Sequence, residues 1–285
     1  MRFSLAAAVL ATAVLAAPQI EPGRFSCGAP EPTQEHLAIA ANFAKEEALA
    51  IANGTAFAKR AITYVDIYFH VVASSTAASD GYLSDSLLTA QLNALNAAYA
   101  PHQYQFVLKG TDKTVNAQWA KDSNGYETTM KKALRKGTYS ALNIYFLKDM
   151  GSNLGYCYFP TTGATTGSST LIKDGCTVLY STVPGGPLTN YNLGHTATHE
   201  IGHWFGLYHT FQGGCTGAGD SVADTPAQSS ASSGCPVGRD SCPSQAGVDP
   251  IHNYMDYSYD TCYEEFTPGQ KARIDSFWST YRQGK

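Results

Sequence analysis

Residues His199–His209 read HEIGHWFGLYH, and this segment limits the fold more than any other. On a helix, His199 and His203 project from one face about 6 Å apart along the axis. Both imidazoles then reach one small cation. Glu200 points aside, able to reach a water on that cation without being forced to ligate it. His209 does not fit the same helix: six residues beyond His203 it would be rotated about 240° and lie about 9 Å further along. Gly206 resolves the conflict, because glycine takes the left-handed conformation that ends a helix and reverses the chain. His209 then returns to the same point. Three neutral nitrogens leave a fourth position open for water, the arrangement of a catalytic rather than a structural zinc site. Five fixed positions match by chance in a chain this long with a probability on the order of 10⁻⁴. His195 also stands four residues from His199, but no glutamate or helix break supports it as a ligand.

The chain of 285 residues is 44 % hydrophobic, enough to build a core. Only 15 % of its residues are charged, against about a quarter in an average soluble domain. The net charge is −4, and no basic run exceeds a pair such as Lys131-Lys132. A nucleic-acid partner has no electrostatic footprint here. The start, MRFSLAAAVLATAVLAAPQ, reads as a secretory signal peptide over residues 1–17, its apolar run shorter than the ~20 residues of a membrane span. A secreted, extracellular protein without a membrane partner is expected, and a monomer. Seven cysteines suit an oxidising compartment. Six lie in the second half of the chain (Cys157, Cys176, Cys215, Cys235, Cys242, Cys262) and allow fifteen pairings, while Cys27 stands alone. Asn53-Gly54-Thr55 is the one glycosylation sequon.

Residues 18–60 are rich in Ala and Glu, read as a helix and a loop, and end in the dibasic pair Lys59-Arg60. Such pairs are recognised by processing proteases, so this stretch is expected to be a propeptide, with a folded domain over 61–285. That domain opens on the alternating strand AITYVDIYFHVV. A helix over 84–100 behind a Ser84 cap follows, then a strand YQFVLKG, a helix YETTMKKALRKG closed by Gly137, and strands ALNIYFL and CTVLYSTV. The class is α/β (α+β): a mixed sheet with helices, including the one that carries the histidines. From Gly213 to Cys262 the chain turns to Gly, Ser, Pro and Cys, as in a loop-built region stapled by disulfides. A last helix starts behind a Thr cap with Pro in its first turn.

The histidine segment is the zinc peptidase signature, extended by Gly206 and His209. With the methionine of NYMDYSYDTC, it is the mark of metzincins. The sequences GHTATHEIGHWFGLYHTFQGGC, GDSVADTPAQ, NYMDYSYDTC and FTPGQKARI most resemble the pappalysin family of metzincins, its secreted fungal metalloproteases, over roughly residues 60–285. The resemblance implies a metzincin-like fold and a zinc-dependent endopeptidase acting on protein or peptide substrates. It implies His199, His203 and His209 as zinc ligands and Glu200 as general base for a zinc-bound water. It further implies Met255 in the turn below, Tyr257 near the metal, and disulfides Cys215–Cys242 and Cys235–Cys262, which leave Cys157 with Cys176. Two alternatives stay open: an inactive zinc-binding or adhesive module, and a zinc hydrolase of non-protein amides or esters.

Three further residues or groups carry expectations. Asp220, Asp224 and Thr225 either hold a calcium ion, which wants clustered oxygens, or cap turns. In metzincins the segment after the methionine turn walls the pocket for the side chain following the scissile bond. There Asp260 would favour Arg or Lys, unless it holds the loop through backbone bonds. Cys27 is expected to occupy the fourth zinc position in the uncleaved precursor, with Gly28 allowing close backbone approach, unless it is a spare thiol in a segment that merely assists folding.

Overall fold

The computed structural model describes residues 25–53 and 61–285. The expected signal peptide, the Lys59-Arg60 pair and Thr55 of the sequon lie outside the described residues. Asn53 lies at the end of the first helix, α1 (Gln34–Ala52), whose Thr33 side chain accepts from His36 N.

Five strands form one mixed sheet. β1 (Thr63–Ala73) is followed by α2 (Asp85–Tyr99), β2 (Tyr104–Val115), α3 (Glu127–Leu134) and β3 (Leu142–Leu147). Then come β4 (Gly155–Cys157), α4 (Ser169–Lys173), β5 (Cys176–Leu179) and α5 (His195–Trp204). The strand order is β2-β1-β3-β5-β4. All neighbours are parallel except β4, which runs antiparallel to β5 at one edge. Central strands of such a sheet are buried on both faces. β3, LNIYFL, is accordingly buried at every residue, and β1 is buried throughout its second half. α2 turns Leu88, Leu95, Ala98 and Tyr99 into the core, where it meets α5.

The expected strands and helices are present, with differences at their ends. β2 runs on to Val115 because its pairing follows β1 to Ala73. α3 stops at Leu134, short of Gly137, because Arg135 leaves the helical conformation and turns its guanidinium to Asp174, 3.1 Å away. β4 has only three residues, and its partner strand and a disulfide fix it. Cys157 and Cys176 face each other in register and are joined. Cys215–Cys242 and Cys235–Cys262 staple the C-terminal half. Each closes a loop of 27 residues, worth about 3–4 kcal/mol by restriction of the unfolded chain. From Gly213 to Cys262 the chain contains only one helical turn, Asp260–Cys262. It then enters α6 (Pro268–Phe277), started by a capping box between Thr267 and Gln270 and followed by a wide turn over Trp278–Arg282.

One buried ionic node locks the last turn of α5. The Asp174 carboxylate accepts from Trp204 Nε1 at 3.2 Å, Arg135 Nη2 at 3.1 Å and Arg282 Nη2 at 3.0 Å. Arg282 also donates to the Trp204 carbonyl at 3.0 Å and lies 3.7 Å from the Trp204 ring. The C-terminal turn is thereby tied to the residue that follows His203.

Candidate active site

The functional side chains come from α5, the turn after it, and the loop that carries Met255. At its start α5 has no side-chain cap of its own. Instead Asp260 lends its carboxylate: Oδ2 accepts from Leu193 N at 2.8 Å and His195 N at 3.4 Å. An anion belongs at that end of a helix, where N–H groups are unpaired and the dipole is positive. Burial pushes the Asp260 pKa up to about 7, against those N–H groups, which lower it.

At the other end Gly206 adopts φ +95°. Leu207 N donates to Gly202 O and Gly206 N to His203 O, both at 2.9 Å, the paired bonds of a Schellman stop. A Cβ on Gly206 would stand 2.3 Å from the Phe277 ring, so the site demands glycine for space as well as for conformation. Gly202 is the second such position, since a Cβ there would meet Met255 Sδ at 2.3 Å. Met255, fully buried, packs directly on the helix between the two histidine turns.

The stop brings the three imidazoles together. His203 Nε2 lies 3.2 Å from His199 Nε2 and 3.1 Å from His209 Nε2. His199 Nδ1 faces the Tyr254 carbonyl at 2.7 Å and His203 Nδ1 the Leu207 carbonyl at 2.8 Å. A carbonyl only accepts, so both Nδ1 atoms carry the proton. Burial holds His203 down to about 4 and His199 and His209 well below the usual histidine range, so the rings are neutral. The Nε2 atoms of His199 and His203 therefore point lone pairs at each other.

Cys27 joins this cluster, and the ligand atoms of the four residues lie within 4.8 Å of one another. Its Sγ is 3.4 Å from Glu200 Oε2, and Glu200 Oε1 has no hydrogen-bond partner among the described residues. Burial raises Glu200 to about 8, and burial with the Glu200 charge pushes the Cys27 thiol well up. Tyr257 Oη stands 3.2 Å from His209 Nε2 and accepts from Cys27 N at 3.3 Å. His195 lies apart from the cluster, against Tyr254 and Tyr263. Asp224 accepts from the Thr267 hydroxyl at 2.6 Å and Gly269 N at 2.8 Å, at the start of α6. Asp220 Oδ1 accepts from Val222 N at 2.9 Å and the Thr225 hydroxyl at 2.7 Å, while its Oδ2 meets no donor among the described residues.

Gln228, the last residue of GDSVADTPAQ, also belongs to the site. Fully buried, it accepts from the Thr210 hydroxyl at 2.7 Å and donates to Asp256 Oδ1 at 3.0 Å. Thr210 follows His209, and Asp256 lies between Met255 and Tyr257. One amide thus fixes the third histidine against the tyrosine. A glutamine in a loop is ordinarily exposed, so no local signal marked it.

A glycine-turned third histidine above a buried methionine turn defines a metalloprotease of metzincin type. Comparison with known proteins agrees. Residues 128–278 match the family Peptidase_M43, described as pregnancy-associated plasma protein-A. An extracellular metalloprotease of Podospora anserina is 68 % identical, over 99 % of either chain. Mature mirolysin of Tannerella forsythia, in complex with a cleaved peptide, superposes with a TM-score of 0.64 at 26 % identity, covering 77 % of this chain and 93 % of that one. A mutant promirolysin of the same organism gives 0.67 at 25 % identity, covering 90 % and 94 %. The chain belongs to the pappalysin family of metalloproteases.

Replacing Gln228 with Leu is expected to weaken metal binding or proteolysis by ~10–100-fold, the usual cost of losing an outer partner of a metal site. A chelator-competition titration beside a thermal melt checks this. Unchanged affinity and unchanged activity would contradict it.

Proposed function

We propose that the chain is a secreted, zinc-dependent endopeptidase made as a latent precursor: residues 1–17 direct export, 18–60 form the propeptide and 61–285 the enzyme. One observation carries the metal assignment. Facing lone pairs 3.2 Å apart repel unless a cation lies between them. Zinc–nitrogen bonds of about 2.0–2.1 Å in a tetrahedron separate the nitrogens by about 3.3 Å, close to the 3.1 and 3.2 Å found. Neutral imidazoles with a thiol nearby suit zinc among the divalent metals. His199, His203 and His209 would hold it. When bound, the ion supplies Lewis acidity and brings the pKa of a water down to about 7.

The chain's own groups complete the chemistry. The Glu200 carboxylate, beside the histidines, takes the proton of the attacking water and returns it to the departing amine. Tyr257 stays protonated, since burial holds it far above the usual tyrosine range, and its hydroxyl donates to the oxyanion. Both groups stand at the cluster, which favours a working peptidase over an inert binding module.

Latency rests on the N-terminal segment. Leu154 N donates to Ser26 O and Gly28 N to Gly155 O, both at 2.8 Å, so the segment makes one parallel bridge, Cys27 opposite Gly155, at the start of β4. The Cys27 ligand atom then lies within 4.8 Å of those of the three histidines, which supports the sulfur as a fourth ligand. α1 holds the segment down. His36 Nδ1 accepts from the Tyr208 hydroxyl at 2.7 Å, and Glu47 accepts from Arg273 at 3.1 and 3.0 Å. The share of this chain covered rises from 77 % with mature mirolysin to 90 % with promirolysin, which supports a pro-segment here.

Glu200→Ala is expected to retain one metal ion per chain and the native melting profile while proteolysis of casein falls at least ~10²-fold. A variant keeping more than a few per cent of activity would remove Glu200 from this role. With Lys59 and Arg60 replaced so that the precursor stays intact, Cys27→Ala is expected to be active where its parent is silent. Equal silence in both would assign latency to steric cover rather than to the sulfur.

A further inference from the structure

Glu200 carries the proton in the reading above, yet hydrogen bonds do little to fix its carboxylate. Among the described residues Oε1 has no hydrogen-bond partner, and Oε2 meets Cys27 Sγ, which departs with the N-terminal segment on processing. A group that no donor holds must be held by packing, and the packing comes from β4. A Cβ on Gly155 would stand 2.7 Å from Glu200 Cγ, 2.9 Å from Oε1 and 3.0 Å from Cδ. Bare backbone therefore lies directly against the Glu200 side chain, and the depth of β4 sets how far the carboxylate can swing.

Successive residues of a strand point to opposite faces. Gly155 and Cys157 face α5, while Tyr156 between them faces the other side of the sheet and packs with Met130, Tyr145 and Tyr158. Among these rings lies Lys131 of α3, fully buried. Its Nζ is 5.3 Å from the centre of the Tyr145 ring, 5.2 Å from that of Tyr156 and 4.9 Å from that of Tyr158. It donates to the Lys173 carbonyl at 2.9 Å and pairs with Glu127 Oε1, also at 2.9 Å. Glu127 Oε2 in turn accepts from the Tyr158 hydroxyl at 2.9 Å. Burying an ammonium is costly unless it is paired, and one carboxylate with three ring faces answers that cost here. The ammonium thus ties α3 and α4 to β3, to β4 and to the residue that follows β4. A strand of three residues, paired in the sheet on one side only, depends on such a tie.

We propose that Lys131 is a positioning residue for Glu200: from the far side of the sheet it holds β4, through Tyr156 and Tyr158, at the depth where Gly155 confines the carboxylate. The proposal rests on the reading of the histidine cluster as a peptidase centre. Without the ammonium, Glu127 is left with a buried charge unanswered and the rings lose their common centre. β4 is then free to draw back from α5. Glu200 gains orientations that face away from the water, which lowers turnover while the zinc ligands and the substrate contacts stay as they are.

Two measurements test the proposal. In the first, kcat and KM on one casein peptide are measured for processed Lys131→Met and Gly155→Ala, each well below its melting temperature. Val65→Ala serves as the control, a core truncation on β1 with β3 and β5 between it and β4. Lys131→Met and Gly155→Ala are expected to lower kcat ~10-fold or more, with KM within ~3-fold and one zinc per chain retained. Val65→Ala is expected to keep kcat within ~3-fold. Should Lys131→Met not fold, Tyr158→Leu, which takes one ring from the cage, is expected to lower kcat ~3-fold or more. A variant of the cage that matches Val65→Ala in kcat, or loses activity only through KM or zinc, overturns the proposal. The second measurement needs no activity. In the intact chain, with Lys59 and Arg60 replaced, Cys27 bridges Gly155, so its alkylation by iodoacetamide reports how firmly β4 is held. Lys131→Met is expected to speed alkylation ~10-fold or more over the parent, and Val65→Ala less than ~3-fold. Equal rates for Lys131→Met and the parent overturn the proposal. Should no peptide be cut even by the unsubstituted enzyme, the proteolytic reading fails, and the alkylation rates still decide whether Lys131 holds β4.

Discussion

The unprotonated Nε2 atoms of His199 and His203, pressed to 3.2 Å with His209 Nε2 a further 3.1 Å from His203, are the constraint on which the rest depends. Without a cation they repel, so the fold must hold them there by force from elsewhere. It does so by fixing each ring through its other nitrogen or through its backbone. The carbonyls of Tyr254 and Leu207 orient two rings. The bond from Thr210 N to the Met255 carbonyl, together with the Gln228 amide, sets the segment that bears the third. The partners of the metal cluster are therefore spread over α5, its stop and the Met255 loop, and none of these segments would keep its place alone.

The surrounding architecture secures α5 at three points. Asp260 answers the unpaired N–H groups at its start. Met255 packs on the bare backbone of Gly202 at its middle. At its end, Asp174 and two arginines clasp Trp204. The last clasp is a buried carboxylate matched by two guanidiniums, the balance that such a charge requires. It joins a residue before β5, one after α3 and one near the C terminus. Hence a helix of only 10 residues stays rigid without help from its own propensity.

What was legible in the sequence was what is local. The spacing of His199, His203, Gly206 and His209 carries its own geometry, because helix pitch and a glycine stop leave little choice. Ser84 and Thr267 announced their helices for the same reason. β4 could not be read, since three residues have no periodicity and owe their conformation to β5 and to Cys157–Cys176. The early end of α3 depends on Asp174, nearly forty positions away in the chain. Gln228 and Lys131 acquire meaning only from what packs on them, and Cys27 stood out merely as the odd cysteine of seven. Asp220 and Asp224 looked like a cation's oxygens, yet three of their four oxygens take protein hydrogen bonds.

If the three histidines and Cys27 together enclose one zinc ion in the uncleaved chain, the atoms around that ion reveal it. X-ray absorption at the zinc edge, on intact protein purified without added metal, tests it most directly. The expected spectrum shows one zinc per chain with three nitrogen neighbours at about 2.0–2.1 Å and one sulfur at about 2.3 Å. A protein without zinc, or a zinc shell of nitrogen and oxygen with no sulfur, would contradict it.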